Sequence, residues 1–260
     1  MKKCATIFGF AALIVTPAMA ADLAIKSPPS APPPPPVFTW TGLYVGVNFG
    51  GGFGDKWWDN SSATNNAFWW GFPGQNIGTS GMDGVLGGGQ VGYNWQFPAS
   101  PVVVGVEGTF DWTNTEGHFN TGIVGTFTDT PKSKLDWIGT VVGRVGLAVD
   151  HALIYAGGGV AWTREVDTIS GFGPGLLGTG LNVAYSGSAT EFGATFLTGV
   201  EYAFGAWSAR LQYNFYDFNN NSITLVSGNT PTTEITGATL GLSTPLRINA
   251  VTAGLNYRFY

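Results

Sequence analysis

Val251-Thr-Ala-Gly-Leu-Asn-Tyr-Arg-Phe259 alternates without a break. Val251, Ala253, Leu255, Tyr257 and Phe259 form one apolar row, and Thr252, Gly254, Asn256 and Arg258 form a polar one. Successive side chains of a β-strand point to opposite faces, so this stretch reads as a strand with one greasy and one polar side. Working backwards along the chain, the same pattern recurs seven times. Val102, Val104, Val106, Phe110 and Trp112 oppose Gly105, Glu107, Thr109 and Asp111. Trp207, Ala209, Leu211, Tyr213 and Phe215 oppose Ser208, Arg210, Gln212 and Asn214. Phe192, Phe196, Val200, Tyr202 and Phe204 lie opposite Glu201.

The eight segments are approximately Thr39–Gly50, Gly84–Gln96, Val102–Trp112, Leu135–Val149, Ala152–Thr163, Glu191–Phe204, Trp207–Phe218 and Leu246–Phe259. They meet or exceed the roughly 9–11 residues that a tilted strand needs to cross a bilayer. Their connections alternate in length. Those after Gln96, Val149 and Phe204 are short, whereas 51–83, 113–134, 164–190 and 219–245 are long, polar and rich in Gly, Asn, Ser and Thr. A soluble sandwich has no reason for that alternation and uses shorter strands. Short turns at one end and long loops at the other predict an all-β, eight-stranded antiparallel up-and-down transmembrane β-barrel, with short periplasmic turns and long extracellular loops.

Composition agrees. Charged residues make up 10% of the 260, against about 25% in ordinary soluble domains. Aromatics reach 14%, and Trp40, Trp95, Trp112, Trp137, Trp162 and Trp207 fall near strand ends, as interface girdles do. At the N-terminus, basic Lys2 and Lys3, the apolar run Cys4–Val15 and the small-x-small Ala18-Met19-Ala20 spell a secretory leader over 1–20. Residues 21–37, with Pro28, Pro29 and Pro32–Pro36, read as an extended periplasmic linker, and 38–260 as the barrel. The lone cysteine, Cys4, lies in the leader, so the mature chain holds together by its sheet. Without Lys2 and Lys3 there are 9 basic and 16 acidic residues, a formal charge of −7. That excludes a nucleic-acid partner, which needs clustered Lys and Arg.

The polar rows place Glu107, Arg144, Glu201, Arg210 and Arg258 inside, with Gln90, Asn94, Gln212 and Asn256. Eight strands enclose a space just wide enough for side chains to fill, and isolated charges there are costly. These five are therefore expected to pair across the lumen and make a plug.

Trp40-Thr-Gly-Leu-Tyr-Val-Gly-Val-Asn-Phe-Gly50, the Ala-Asp start of the mature chain, Gly89-Gln-Val-Gly-Tyr-Asn-Trp-Gln96, Asp136-Trp-Ile-Gly-Thr-Val-Val-Gly-Arg-Val-Gly146 and Tyr155-Ala-Gly-Gly-Gly-Val-Ala161 resemble the alphaproteobacterial outer-membrane immunogenic protein family. The resemblance covers nearly the whole chain and is carried by the strands. It implies an OmpA-like barrel in the outer membrane of a Gram-negative bacterium, a surface antigen without enzymatic activity. Some members are described as porin-like and some as hemin-binding. It also implies that Tyr257 and Phe259, on the closing strand, are read by the barrel-assembly machinery, although Tyr260 follows the usual terminal Phe. Val142 and Gln212 stand where the family pattern has charge, which implies sparser ionic pairing.

No catalytic, cofactor or metal site emerges. Gly87-Gly-Gly-Gln-Val-Gly92 matches a dinucleotide fingerprint in letters, yet it lies within a strand with no helix after it. His118 and His151 are far apart, and no G-x-S-x-G elbow occurs. A rim serine hydrolase built on His118 and Glu116 lacks a fixed serine. In the first long loop Trp57, Trp58, Trp69 and Trp70 form a candidate ligand patch, either a flat site for hemin or a host surface, or rings folded onto the strand rims. The expected role is structural, maintaining membrane integrity and presenting loops, with outer-membrane lipid and lipopolysaccharide as neighbours. A small-solute pore or a hemin receptor is the alternative.

Overall fold

The computed structural model describes residues 38–63, 76–118, 130–174, 180–218, 222–227 and 239–259. The leader, the proline linker, Trp69 and Trp70 lie outside the described residues. The strands are β1 (Gly42–Ala63), β2 (Asn76–Gln96), β3 (Val102–Thr113), β4 (Glu116–His118), β5 (Thr130–Val149), β6 (Ala152–Pro174), β7 (Gly180–Phe204), β8 (Trp207–Phe218), β9 (Ser222–Ser227), β10 (Thr239–Ser243) and β11 (Leu246–Arg258).

All pairings are antiparallel, and the ring β1-β2-β3-β5-β6-β7-β8-β11 closes where β11 meets β1, from Tyr44↔Arg258 to Lys56↔Leu246. Closure leaves no strand edge with unpaired backbone, which lipid requires. Towards the outer end β4 takes over from β3 between β2 and β5. On the other side β9 and β10 carry the wall on between β7 and β1. Eight strands are thus in place at both levels.

The lipid-facing row of β1 runs from Leu43 through Val45, Val47 and Phe49 to Phe53, all 40% exposed or more. Ten residues at about 3.3 Å each, tilted by about 40°, give an apolar band roughly 25 Å tall, which matches such barrels. Aromatic side chains border it. Trp95 packs near Phe97, and Trp207 and Phe259 both meet Tyr257 edge-on at the periplasmic end. Phe110, Trp112 and Trp137 cluster at the outer end.

The periplasmic connections are short, as the sequence indicates, and their backbones explain which residues serve. Asp150 (φ 53°) starts the two-residue turn Asp150–His151, and Gly205 (φ 63°) starts Gly205–Ala206. Asp and Gly are among the residues that tolerate this left-handed region.

Two expectations need correction. Much of what reads as loop is strand. β1 runs on to Ala63, β2 begins at Asn76, β6 continues to Pro174 and β7 begins at Gly180. Above the belt the outer face meets water and the inner face is lined by charged side chains such as Lys56, Glu165 and Asp167, so the apolar–polar contrast that marks a strand fades although backbone pairing continues. Trp40, expected in the girdle, is instead 2% exposed at the periplasmic mouth, packed edge-on against Phe38 at 5.5 Å.

Candidate functional site

The ring of strands encloses a lumen, and its described side chains fall into four layers from the periplasm outwards. At the mouth, Phe38 and Trp40 lie over Arg258, whose guanidinium carbon is 4.6 and 4.9 Å from the two ring centres. The Trp40 backbone N–H donates to Gln96 Oε1 (2.9 Å), fixing the segment against β2. Phe38 also packs against His151 at 4.4 Å, whose Nδ1 is 2.8 Å from Asp150 Oδ1. The hydrogen bond from His151 holds the Asp150 carboxyl below the usual carboxylate range. Val103, Ala148, Leu153 and Ala203 complete this apolar floor.

Above it lies the charge layer. Glu107 Oε2 accepts from Arg210 Nη1 (2.6 Å), Arg144 Nη1 (3.3 Å) and Tyr44 Oη (2.6 Å). Arg144 is also 3.7 Å from Glu201 Oε2, and its Nε and Nη2 donate to Asn94 Oδ1 at 3.0 and 2.8 Å. Glu201 Oε1 accepts from Asn256 Nδ2 (2.9 Å) and from the Ser208 hydroxyl. The Tyr44 and Tyr155 rings both lie against the Arg144 guanidinium, at 4.8 and 4.9 Å. Glycines make this possible. A Cβ on Gly92 would stand 2.1 Å from Tyr44 Oη, and one on Gly199 2.7 Å from Tyr155 Oη, so each ring occupies the space a side chain would need.

The next layer is apolar, built by Leu86, Ile138, Ala161, Tyr216, Phe218, Ile248 and Ala250, all at most 2% exposed. A fourth, ionic layer stands at the outer end. Lys56 of β1 reaches Glu165 and both oxygens of Asp167 (2.8 Å) on β6, four strands away by either route round the ring. It also donates to Ser133 Oγ at 2.6 Å, and all three charged side chains are 0% exposed. Lys56 Nζ lies 4.0 Å over the Trp58 ring. A buried ammonium with no counter-charge is expensive, and here it meets two carboxylates and an aromatic face.

Of the five lumen charges read from sequence, Glu107, Arg144, Glu201 and Arg210 are brought together, whereas Arg258 sits under aromatic rings in the floor. Val142 and Gln212 are buried in the lumen, and Gln212 Oε1 accepts from Tyr155 Oη (2.8 Å), so an amide stands in for a charge. Trp57 and Trp58 do not share a surface. Adjacent strand residues point oppositely, so Trp58 is 1% exposed inside while Trp57 faces outwards, with Arg247 at 5.6 Å. Tyr257 and Phe259 stand on the lipid face. Sequence reasoning missed Lys56, Glu165 and Asp167. Parity was the available signal, since Lys56 has the same even numbering as the inward Tyr44 and Asn48, and Glu165 and Asp167 the same odd numbering as Tyr155.

Comparison with known proteins agrees with this architecture. A family model described as outer membrane protein beta-barrel domain matches residues 8–259. The 31 kDa outer-membrane immunogenic proteins of Brucella melitensis biotype 1 and Brucella suis biovar 1 are each 30% identical over 265 residues, covering 99% of this chain and 100% of theirs. Among solved structures, the outer membrane protein OprG from Pseudomonas aeruginosa aligns with a TM-score of 0.49 at 10% identity, covering 84% of this chain and 97% of that one. With its closed ring, its lipid-facing rows and this full-length match, the chain belongs to the outer membrane protein beta-barrel family.

Proposed function

We propose that this protein is a closed, non-conducting barrel that supports the integrity of the outer membrane and presents its outer rim to the surroundings, without catalysing a reaction. The observation that carries the reading is Glu107, which receives both Arg144 and Arg210 across the lumen between two apolar layers. Ions crossing this path would have to displace a hydrogen-bonded charge cluster and also the packed residues above and below it. Its neighbours on this reading are outer-membrane lipid and lipopolysaccharide along the wall. The barrel-assembly machinery reads the β11 row ending in Tyr257 and Phe259. Export proceeds through removal of residues 1–20, so that N-terminal sequencing of the native protein finds Ala21 first.

The alternative is a small-solute pore, which requires the arginine–carboxylate layer to move aside. A hemin receptor is disfavoured because Trp57 and Trp58 face opposite sides. Single-channel recording in a planar bilayer separates plug from pore. The protein refolded from Ala21 onwards, checked by its heat-dependent shift on gel electrophoresis, is expected to stay silent. Steady, reproducible conductance steps would replace the plug with the pore.

A further inference from the structure

Eight Lys and Arg side chains fall among the described residues. Lys56, Arg144, Arg210 and Arg258 point into the lumen, where they are buried. The other four, Lys132, Lys134, Arg164 and Arg247, lie on the outer wall at or beyond its outer aromatic side chains: Arg164 pairs with Trp137, and Arg247 lies 5.6 Å from the Trp57 ring. Three are contiguous. Lys134 pairs with Val166, Lys132 with Thr168, and Trp137 with Arg164, which places Lys132, Lys134 and Arg164 on one patch of the β5–β6 wall. Lys134 and Arg164 are one cross-strand diagonal apart, about 7–8 Å and within reach of one bound anion for such long side chains, and Lys132 is one step further out on the row of Lys134. On the β7 flank the patch continues with the exposed hydroxyls of Ser188 and Thr190, in register with Val166 and Arg164.

Height identifies the ligand. Arg164 is paired with Trp137 at the outer aromatic border, and Lys134 and Lys132 are three and five residues beyond Trp137. With the rise and tilt used above, Arg164 stands at the edge of the belt and the two lysines roughly 8 and 13 Å outside it. Headgroups occupy roughly 5–8 Å on each side of the hydrocarbon core. Arg164 and Lys134 therefore bracket the headgroup depth, and Lys132 stands about 5 Å beyond it, a distance its long side chain can reach back across. The side chains also face the lipid side of the wall.

We propose that Lys132, Lys134 and Arg164 form a binding site for a phosphorylated lipid headgroup of the outer leaflet. Arg164 supplies the planar fork suited to phosphate oxygens and the two lysines supply point charges. Two carboxylates lie within the patch. Asp136 Oδ2 is 4.0 Å from Arg164 Nε, and Glu116 is in register with Lys134. The Asp136 contact is long and single, and Arg164 remains 54% exposed, so the guanidinium keeps donors for a ligand. The inference rests on the outer wall facing lipid and is independent of whether the lumen conducts.

Native mass spectrometry of the refolded protein tests this, with phosphatidic acid as the phosphomonoester probe and phosphatidylcholine as the reference. Each variant is first checked for folding by its heat-dependent gel shift. The wild type is expected to retain phosphatidic acid in preference, and K132Q/K134Q/R164Q to lose about tenfold in retention. R247Q, on the opposite wall, should retain it as the wild type does. Equal retention of both lipids, an unaffected triple variant, or an equal loss in R247Q would each overturn the site. Displacement of the lipid by an equal concentration of inorganic phosphate would assign the patch to a soluble anion and overturn the lipid assignment.

Discussion

Replacing Glu107 by Gln tests whether the lumen is a sealed, dry layer. The carboxylate is 1% exposed and is the ionic partner of two arginines. Without it Arg144 still lies 3.7 Å from Glu201 and is bonded to Asn94, so it loses only part of its support. Arg210 loses its 2.6 Å partner, and no other carboxylate lies within 4.0 Å of it among the described residues. Removing one member of a buried pair costs about 3–5 kcal/mol, most of it for the charge left behind. Gln preserves shape and an acceptor, so about 3 kcal/mol is expected for E107Q. R210M leaves Glu107 bonded to Arg144 and Tyr44 and should cost about 1–2 kcal/mol. In the double variant the stranded guanidinium is gone, so its stability should lie near that of R210M, a coupling of about 3 kcal/mol. Urea unfolding in short-chain lipid vesicles, followed by tryptophan fluorescence, reads all three. Additivity within about 0.5 kcal/mol would refute the reasoning, because independent sites add and water in an open lumen would uncouple the two charges.

Lys56→Met should strand Glu165 and Asp167 and loosen the outer end by about 3–5 kcal/mol, while the membrane-embedded barrel survives. Faster amide exchange confined to strand residues beyond Phe53 and Trp162, with the heat-dependent gel shift retained, would show this. Gly92→Ala puts a methyl group within 2.8 Å of three atoms of Tyr44 and should cost about 1–3 kcal/mol in the same urea assay; a neutral result would mean that Tyr44 does not hold its place against Glu107. Val145→Arg, on the lipid face and 55% exposed, should cost about 2–4 kcal/mol at mid-membrane depth, and much less if that face is wet. Trp40→Ala removes a ring from the periplasmic floor and the cover over Arg258, an expected loss of about 3 kcal/mol, and an unchanged unfolding midpoint would place Trp40 outside the packed lumen.

How far the fold can be read from the sequence follows from where lipid supplies contrast. Within the apolar band each strand separates two solvents of very different polarity, so Val251, Leu255 and Tyr257 against Thr252, Asn256 and Arg258 assign the faces with no further information. The same contrast marks Glu107, Arg144, Glu201 and Arg210 as inward. Beyond Phe53 it disappears. Asp55 is exposed outside and Lys56 is fully buried inside, yet both are charged and adjacent, and nothing in their chemistry tells one face from the other. What persists is parity. Carrying the even positions of β1 past the belt puts Lys56 and Trp58 in the lumen, and carrying the odd positions of β6 does the same for Glu165 and Asp167. Parity is reliable only while pairing continues without a bulge. β1 shifts register at Trp58/Asp59 and β5 at Leu135/Trp137, just where the contrast has gone. The pairing across the lumen is harder still to read, because Lys56 and Asp167 are 111 residues apart in sequence and meet only once the ring has closed. Closure decides which opposite strands face each other, so the layers that plug this barrel follow from the ring as a whole, whereas each lipid-facing row can be read from its own strand.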